Sequence, residues 1–445
     1  MSPHFADPVA EPTMTPLEDL SATITKSASI VSQYLQASGH PQPSQNANGP
    51  SSVLPSGTPR QIHQAHQQLI AASLQIFQLV IGPSEFLPHL ANGFQYISCL
   101  TWLCHYKIFH LIPLTSSISY DALSQFTGVP LSRLESIIRF AMTTSLFTES
   151  PDGLSVSHTA TSAHLARDED AYNYATYLCS RTAPTALHMT DAHRRWGAHS
   201  TATNQTAYNA AFDTDLPFFE DLKHNEGREE EFARLMKSVR SSDGLSLRYL
   251  VEGVDLGYIQ GGGRLVDVGG STGGAAMALA KAHPTLNLTV QDLPSNIEAG
   301  LEAATSLPPD IRNRLTFQPH DFTTPNPVHG AEAYLLRMIL HDWADPQAMN
   351  IIRNIVSAMD PAHSRLFIMD IILPDPGSVP LGIERIARAR DLTMMQMFNS
   401  KERELGEWKA LLGEADERLQ LVGVKKPFGS VLSILEVRVQ ADGSK

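Results

Sequence analysis

Apolar positions in the first half of the chain recur at helical spacing. Leu17, Leu20, Ile24, Ile30, Val31, Tyr34 and Leu35 predict one amphipathic helix that docks on another surface, a partner subunit being one candidate. Residues 38–60 are rich in Pro, Ser, Asn and Gln and read as a flexible linker with little apolar surface to bury. From 61 to 167 the period is again helical: Leu69, Ile70, Leu74, Phe77 and Val80 form one stripe ahead of a Gly82-Pro83 break. A helix–turn–helix rhythm over 119–144 then runs into Leu146-Phe147, a Pro151-Asp152-Gly153 turn and Leu154-Ser155-Val156, a winged-helix outline. Residues 168–250 read as mostly helical, with Met189, Trp196, Phe212, Phe218 and Phe219 suited either to a core or to an apolar ligand pocket.

The pattern changes at Arg264. Short apolar runs at 264–268, 286–291, 314–318, 332–337 and 365–372 alternate with helical segments, which predicts a doubly wound parallel sheet of the α/β class with crossover helices. Two further runs, 419–424 and 430–439, predict a terminal antiparallel hairpin. Four segments follow from these patterns: 1–60, flexible with one helix; 61–170, winged-helix-like; 171–250, a helical connection; and 251–445, the sheet domain.

Composition narrows the function. The 445 residues carry a formal net charge of −13, which repels a phosphate backbone, and the helix placed to read DNA offers only Arg133 and Arg139 against Glu135, so no nucleic-acid partner is expected. No uninterrupted apolar run reaches the eighteen residues of a bilayer span, so no membrane partner is expected either. The N-terminus has neither a basic lead nor an apolar stretch, and a cytoplasmic location is the expectation. Three cysteines, Cys99, Cys104 and Cys179, fit reduced thiols better than a disulfide frame or a metal site.

Candidate chemistry clusters at the sheet's carboxyl edge. The first strand enters a turn, Gly269-Gly270-Ser271-Thr272-Gly273-Gly274, where glycines admit a ligand close to the backbone and a helix N-terminus offers free N–H groups. A tight turn alone is the competing reading, and Ser271 breaks the dinucleotide pattern. Asp292 ends the second strand about twenty residues on, placed to accept both ribose hydroxyls of an adenosine, or to cap the next helix. Asp321 and Phe322 follow the third strand and suit an adenine amino group and ring face, although Asp there also makes turns. Arg337 and His341 follow the fourth, and an imidazole titrating near neutrality suits removal of a phenolic proton. Asp342 and Asp345 read as helix N-terminal acids. Met394, Met395, Met397 and Phe398 suit a flat apolar ligand, or ordinary core packing.

Six motifs occur in one order: Val266-Asp267-Val268-Gly269-Gly270, Val290-Gln291-Asp292-Leu293-Pro294, His320-Asp321-Phe322, Leu336-Arg337-Met338-Ile339-Leu340-His341-Asp342, Ile372-Leu373-Pro374-Asp375 and Asn399-Ser400-Lys401-Glu402-Arg403. In these the chain resembles the plant caffeate-type and fungal polyketide-type O-methyltransferases. The resemblance implies a Rossmann-like methyltransferase sheet behind a winged-helix-like dimerisation domain and S-adenosyl-L-methionine as cofactor. It further implies a homodimer and a small aromatic hydroxylated substrate methylated without a metal. It assigns Gly269, Gly270, Asp292, Asp321, Phe322 and Arg337 to the cofactor, His341 to catalysis as general base, and Glu402 to the ring nitrogen facing away from substrate. Plant relatives place a second glutamate beside that ring; here the matching position is Asp370, one methylene shorter. Two other readings use the same sheet: an NAD(P)-dependent oxidoreductase, and a non-catalytic methyltransferase-like regulator.

Overall fold

The structure, a computed structural model, describes residues 14–440 of the chain. The described residues divide into two units, one running to residue 167 with 376–386, the other 168–375 with 387 onward.

In the N-terminal unit the amphipathic segment is a helix over Pro16–Ala37, started by a capping box in which Thr15 and Glu18 satisfy each other's backbone N–H. Its buried face, Val31 and Leu35, packs on Ala65, Val53 and Leu54 of the same chain, so the surface it covers is its own rather than a partner's. Residues 38–59 form no helix or extended strand, yet Ala160 donates to the Gln45 carbonyl and Arg167 to the Ala47 carbonyl, which fastens this stretch to the winged region. The stripe beyond it forms the Arg60–His105 helical stretch, broken at Gly82, whose φ of 66° and ψ of 175° lie outside the helix. By length and composition this stretch meets the requirement of a membrane span, contrary to the sequence expectation, although the glycine divides it. The wing is a three-stranded sheet, β1 (Ile118–Ser119), β2 (Phe147–Glu149) and β3 (Ser155–His158), in the order β1-β3-β2, beside helices Tyr120–Thr127 and Leu131–Met142.

The second unit carries a seven-stranded sheet. Its strands are β4 (Arg264–Val268), β5 (Asn287–Asp292), β6 (Leu315–Pro319), β7 (Ala333–Arg337), β8 (Arg365–Asp370), β11 (Leu419–Lys425) and β12 (Ser433–Val439), and two short strands, β9 (Ile372–Leu373) and β10 (Arg403–Glu404), pair separately. The order is β11-β12-β8-β7-β4-β5-β6, with β4 to β8 parallel and β12 antiparallel to β8 and β11. Alternation sorts the side chains: Val266, Val268, Tyr334, Leu336, Leu366 and Ile368 join one core, while Leu265, Leu288, Val290, Leu335, Phe367 and Met369 join the other. Helices on both faces complete these cores, with Ile351, Ile352 and Ile355 on the first and Ala276, Leu279 and Ala280 on the second. Each fully buried large aliphatic side chain contributes roughly 1.5–3 kcal/mol. With both faces covered, the functional groups are left to the carboxyl ends of the strands, on either side of β4, where the strand order reverses.

Candidate active site

The turn after β4 is built for close approach. Gly269 has a φ of 71°, and a Cβ there would lie 2.6 Å from Ile339 Cδ1 and 3.4 Å from Phe322 Cε1. The Gly269 and Gly270 N–H groups both donate to the Gln291 carbonyl, at 2.8 and 3.1 Å, so β5 holds the turn. Ser271 takes a φ of 53°, a left-handed conformation that glycine adopts at less cost, and its N–H donates to Asp292 Oδ2 at 2.7 Å. The helix that follows is Gly274–Ala282.

Asp292 is not the cap of the next helix. Leu293 occupies that position, and Asp292 Oδ1 accepts from the Leu293 N–H and from Asn296 Nδ2. Both oxygens retain lone pairs for further donors, because an ionised carboxylate accepts about four bonds. Asp321 is exposed and makes the turn expected of a short acid, its Oδ1 accepting from the Thr323 N–H and hydroxyl. Phe322 stands edge-on to Trp343, with ring centroids 5.7 Å apart, and borders the glycine turn.

Arg337 at the end of β7 is largely buried; Nη2 donates to the Leu245 carbonyl at 2.7 Å, whereas Nε has no partner. Burial lowers its pKa, against the attraction of Asp267 and Asp370. Asp267, inside β4 and 1% exposed, is a residue of the site that sequence reasoning misses. Its Oδ2 has no hydrogen-bond partner, and burial pushes the acid up to about 7 despite Arg337. The available signal was a carboxylate inside an otherwise apolar strand, which a parallel sheet does not tolerate without a use.

His341 lies on a single 3-10 turn, Leu340–Asp342, two residues beyond the Ile339 that touches the Gly269 turn. Its ring is buried, with Nδ1 2.9 Å from Glu402 Oε1, 3.9 Å from Asp370 Oδ1, and Nε2 3.6 Å from Asp342 Oδ1. Asp370 therefore converges on the ring but stops beyond hydrogen-bond reach, the result expected of its shorter side chain; neither of its oxygens has a partner. Asp342 is not the helix acid its sequence position predicts: the helix starts at Asp345 and the 3-10 turn swings Asp342 to the opposite ring nitrogen.

Three carboxylates change the ring's titration. Burial disfavours the imidazolium, but Asp342, Asp370 and Glu402 outweigh it and raise the pKa to about 10, correcting the expected near-neutral value. In the same cluster burial raises Asp370 to about 7 and Asp342 to about 6, with His341 opposing both shifts.

The proposed substrate side chains divide. Phe218 and Met397 are buried and pack with Phe212, Phe232 and Phe398, and Phe219 stacks on Phe398, so these form core rather than pocket. Met394 and Met395 remain partly exposed. Elsewhere in the helical region, Asn173, Arg181, Arg228 and Glu231 line a polar cavity of about 360 Å³ that shares no residue with the His341 cluster.

This sheet order and edge chemistry define the Rossmann-like methyltransferase fold. Among solved structures, LepI in complex with SAM superposes with a TM-score of 0.71 at 22% identity over 94% of this chain and all of that one, and OxaC in complex with SAH and oxaline with 0.70 at 23% over 95% and 100%. Residues 196–416 match the O-methyltransferase domain model, and residues 14–81 match the N-terminal domain of the trypacidin cluster transcriptional coactivator tpcD. The chain is 64% identical to O-methyltransferase pgmB of Aspergillus terreus over 99% of its length and all of the relative's. It is 39% identical to O-methyltransferase aoiF of Aspergillus oryzae, over 96% and 100%. The chain belongs to the S-adenosylmethionine-dependent O-methyltransferase family of fungal secondary metabolism. That membership decides against the nicotinamide oxidoreductase.

Proposed function

We propose that the protein methylates a hydroxyl of a small aromatic, polyketide-type metabolite, with His341 as general base and without a metal. The observation that carries this reading is the buried His341 ring, held at Nδ1 by Glu402 and lying beyond the Gly269 turn at one sheet edge. The two buried orphan atoms, Asp267 Oδ2 and Arg337 Nε, suit the ammonium and carboxylate of a methionine tail, and a turn that excludes even a Cβ suits a ligand pressed on the backbone. In this reading Gly269 and Gly270 border the tail, Asp292 accepts from the ribose hydroxyls, and Asp321 with Phe322 takes the adenine.

S-adenosylmethionine supplies an already electrophilic methyl group, so the protein's task is alignment and removal of one proton. Glu402 fixes the ring by accepting from Nδ1–H, which leaves Nε2 for the acceptor hydroxyl. Once Nε2 takes the proton, Glu402, Asp342 and Asp370 stabilise the imidazolium. The ring must be neutral to begin, so turnover rises with pH above 7 rather than around the ordinary imidazole value near 6.5.

A homodimer is part of this reading. Phe77, Val80, Phe86, Leu87, Leu90 and Phe94 stand 52–69% exposed along the broken helical stretch, an apolar face suited to the same face of a second copy.

The test is calorimetric titration with S-adenosylmethionine beside transfer of a labelled methyl group to a panel of phenols. His341→Ala is expected to keep cofactor affinity and lose turnover by about 10²- to 10⁴-fold. Unchanged turnover removes His341 from the mechanism, and cofactor binding with no transfer by the unmodified protein revives the non-catalytic regulator.

A further inference from the structure

The Asn399–Arg403 motif contributes Glu402 to the ring, but its last residue has no part in the proposed chemistry. Arg403 is fully buried, an unusual place for a guanidinium, and it is not idle there. Nη1 donates to the Leu340 carbonyl at 2.8 Å and Nη2 to the Trp343 carbonyl at 2.8 Å. Nε and Nη2 both reach Asp345 Oδ1, at 3.0 and 2.8 Å. Those two carbonyls bracket His341 and Asp342 from either side. The single 3-10 turn between them closes few hydrogen bonds of its own, so its shape depends on what grips its ends.

Arg403 is itself anchored by its neighbours. Arg403 pairs with Ile372 in the two-stranded β9–β10 ladder, two residues past Asp370, and its guanidinium lies 5.2 Å from the buried Trp408 ring. Lys401 adds a second cation on Asp345, at 3.4 Å, so Lys401 and Arg403 hold one acid from both sides of Glu402.

We propose that Arg403 is a positioning residue for the methyl transfer: by fastening both ends of the Leu340–Asp342 turn to the strand that follows Glu402, it sets where the His341 ring stands. The proposal rests on His341 being the base. A planar fork with five donors can serve two carbonyls and a carboxylate together, whereas a lysine ammonium presents its three donors from one point. Arg403→Lys keeps the charge and most of the volume but loses the fork.

Arg403→Lys is therefore expected to lower kcat about 100-fold, as small misplacements of a reacting group do. The KM for S-adenosylmethionine and its calorimetric affinity should change less than about threefold, because no cofactor-side residue touches Arg403. Asp345→Asn, at a half-exposed position, tolerates folding better and should lower kcat about tenfold with the same split. His341→Gln is measured alongside, alone and with Arg403→Lys, and the double variant should be no slower than His341→Gln alone. Unchanged kcat in folded Arg403→Lys while His341→Gln is inactive overturns the positioning role and spares the base. Full activity in His341→Gln overturns the base itself. Loss of cofactor affinity parallel to kcat in both Arg403→Lys and Asp345→Asn marks Arg403 as general scaffolding and also overturns the proposal.

Discussion

The two units break the usual inside–outside rule in opposite senses. In the N-terminal unit Phe86, Leu87, Leu90 and Phe94 face outward at 56–69% exposure. In the sheet unit His341, Asp370, Glu402, Arg403 and Asp267 face inward at 7% or less. Scattered apolar residues on a surface need no explanation, but a continuous row along one helix does, and covering by another surface is the physical answer. An ionisable group inside costs several kcal/mol unless neighbours compensate it, and compensation here is partial, with both Asp370 oxygens and Glu402 Oε2 left without partners. In the proposed reading the outward apolar row serves association and the inward charge serves chemistry.

Three measurements test that contrast. The largest effect is expected on assembly: Phe86→Glu with Leu90→Glu places two charges on the apolar row and should weaken self-association on the order of 10³-fold, read as a shift from dimer to monomer in light scattering. An unmodified protein that is monomeric at micromolar concentration removes the homodimer. The second effect is on the cofactor. Asp292→Ala removes a charged acceptor and should weaken S-adenosylmethionine binding about 10- to 100-fold by calorimetry, while a change under twofold denies Asp292 the ribose.

The third and smallest is a pH dependence of stability. A ring raised from about 6.5 to about 10 contributes stability that is complete below 6.5 and is lost as pH rises through 10. Asp370, raised to about 7, also favours the protonated fold and loses its contribution lower, between about 4 and 7. The melting temperature should therefore fall by several degrees from pH 7 to 10, and His341→Gln should flatten that slope. An equal slope in the variant means that the carboxylates do not hold the ring charged.

Legibility in the sequence followed the strength of the local signal. β4 spans the residues predicted for it because a strand buried on both faces reads as a near-continuous apolar run, here interrupted only by Asp267. The Gly82 break was legible because Gly-Pro punctuates any helix. The second hairpin strand begins at Ser433, three residues later than the pattern suggests, since residues 430–432 form a loop that satisfies itself: Ser430 accepts from the Leu432 N–H and donates to its carbonyl. Convergence of Glu402 and Asp370 on His341 came from motif order, because nothing local joins residues 61 positions apart. Not legible were the inward swing of Asp342, the burial of Arg403 and the packing of Phe218 against Phe398, each decided by contacts distant in sequence. The ring's raised pKa was beyond a sequence reading for the same reason, since it sums three separately placed acids.

The β9–β10 ladder joins the backbones that lead to Asp370 and Glu402, through the pairs Ile372–Arg403 and Leu373–Glu404. Because main-chain pairing keeps those two segments together, the length of the side chain at 370 sets how near its carboxylate comes to the ring. In the proposed reading, side-chain length at 370 is thereby the adjustable part of the base's surroundings, one methylene at a time.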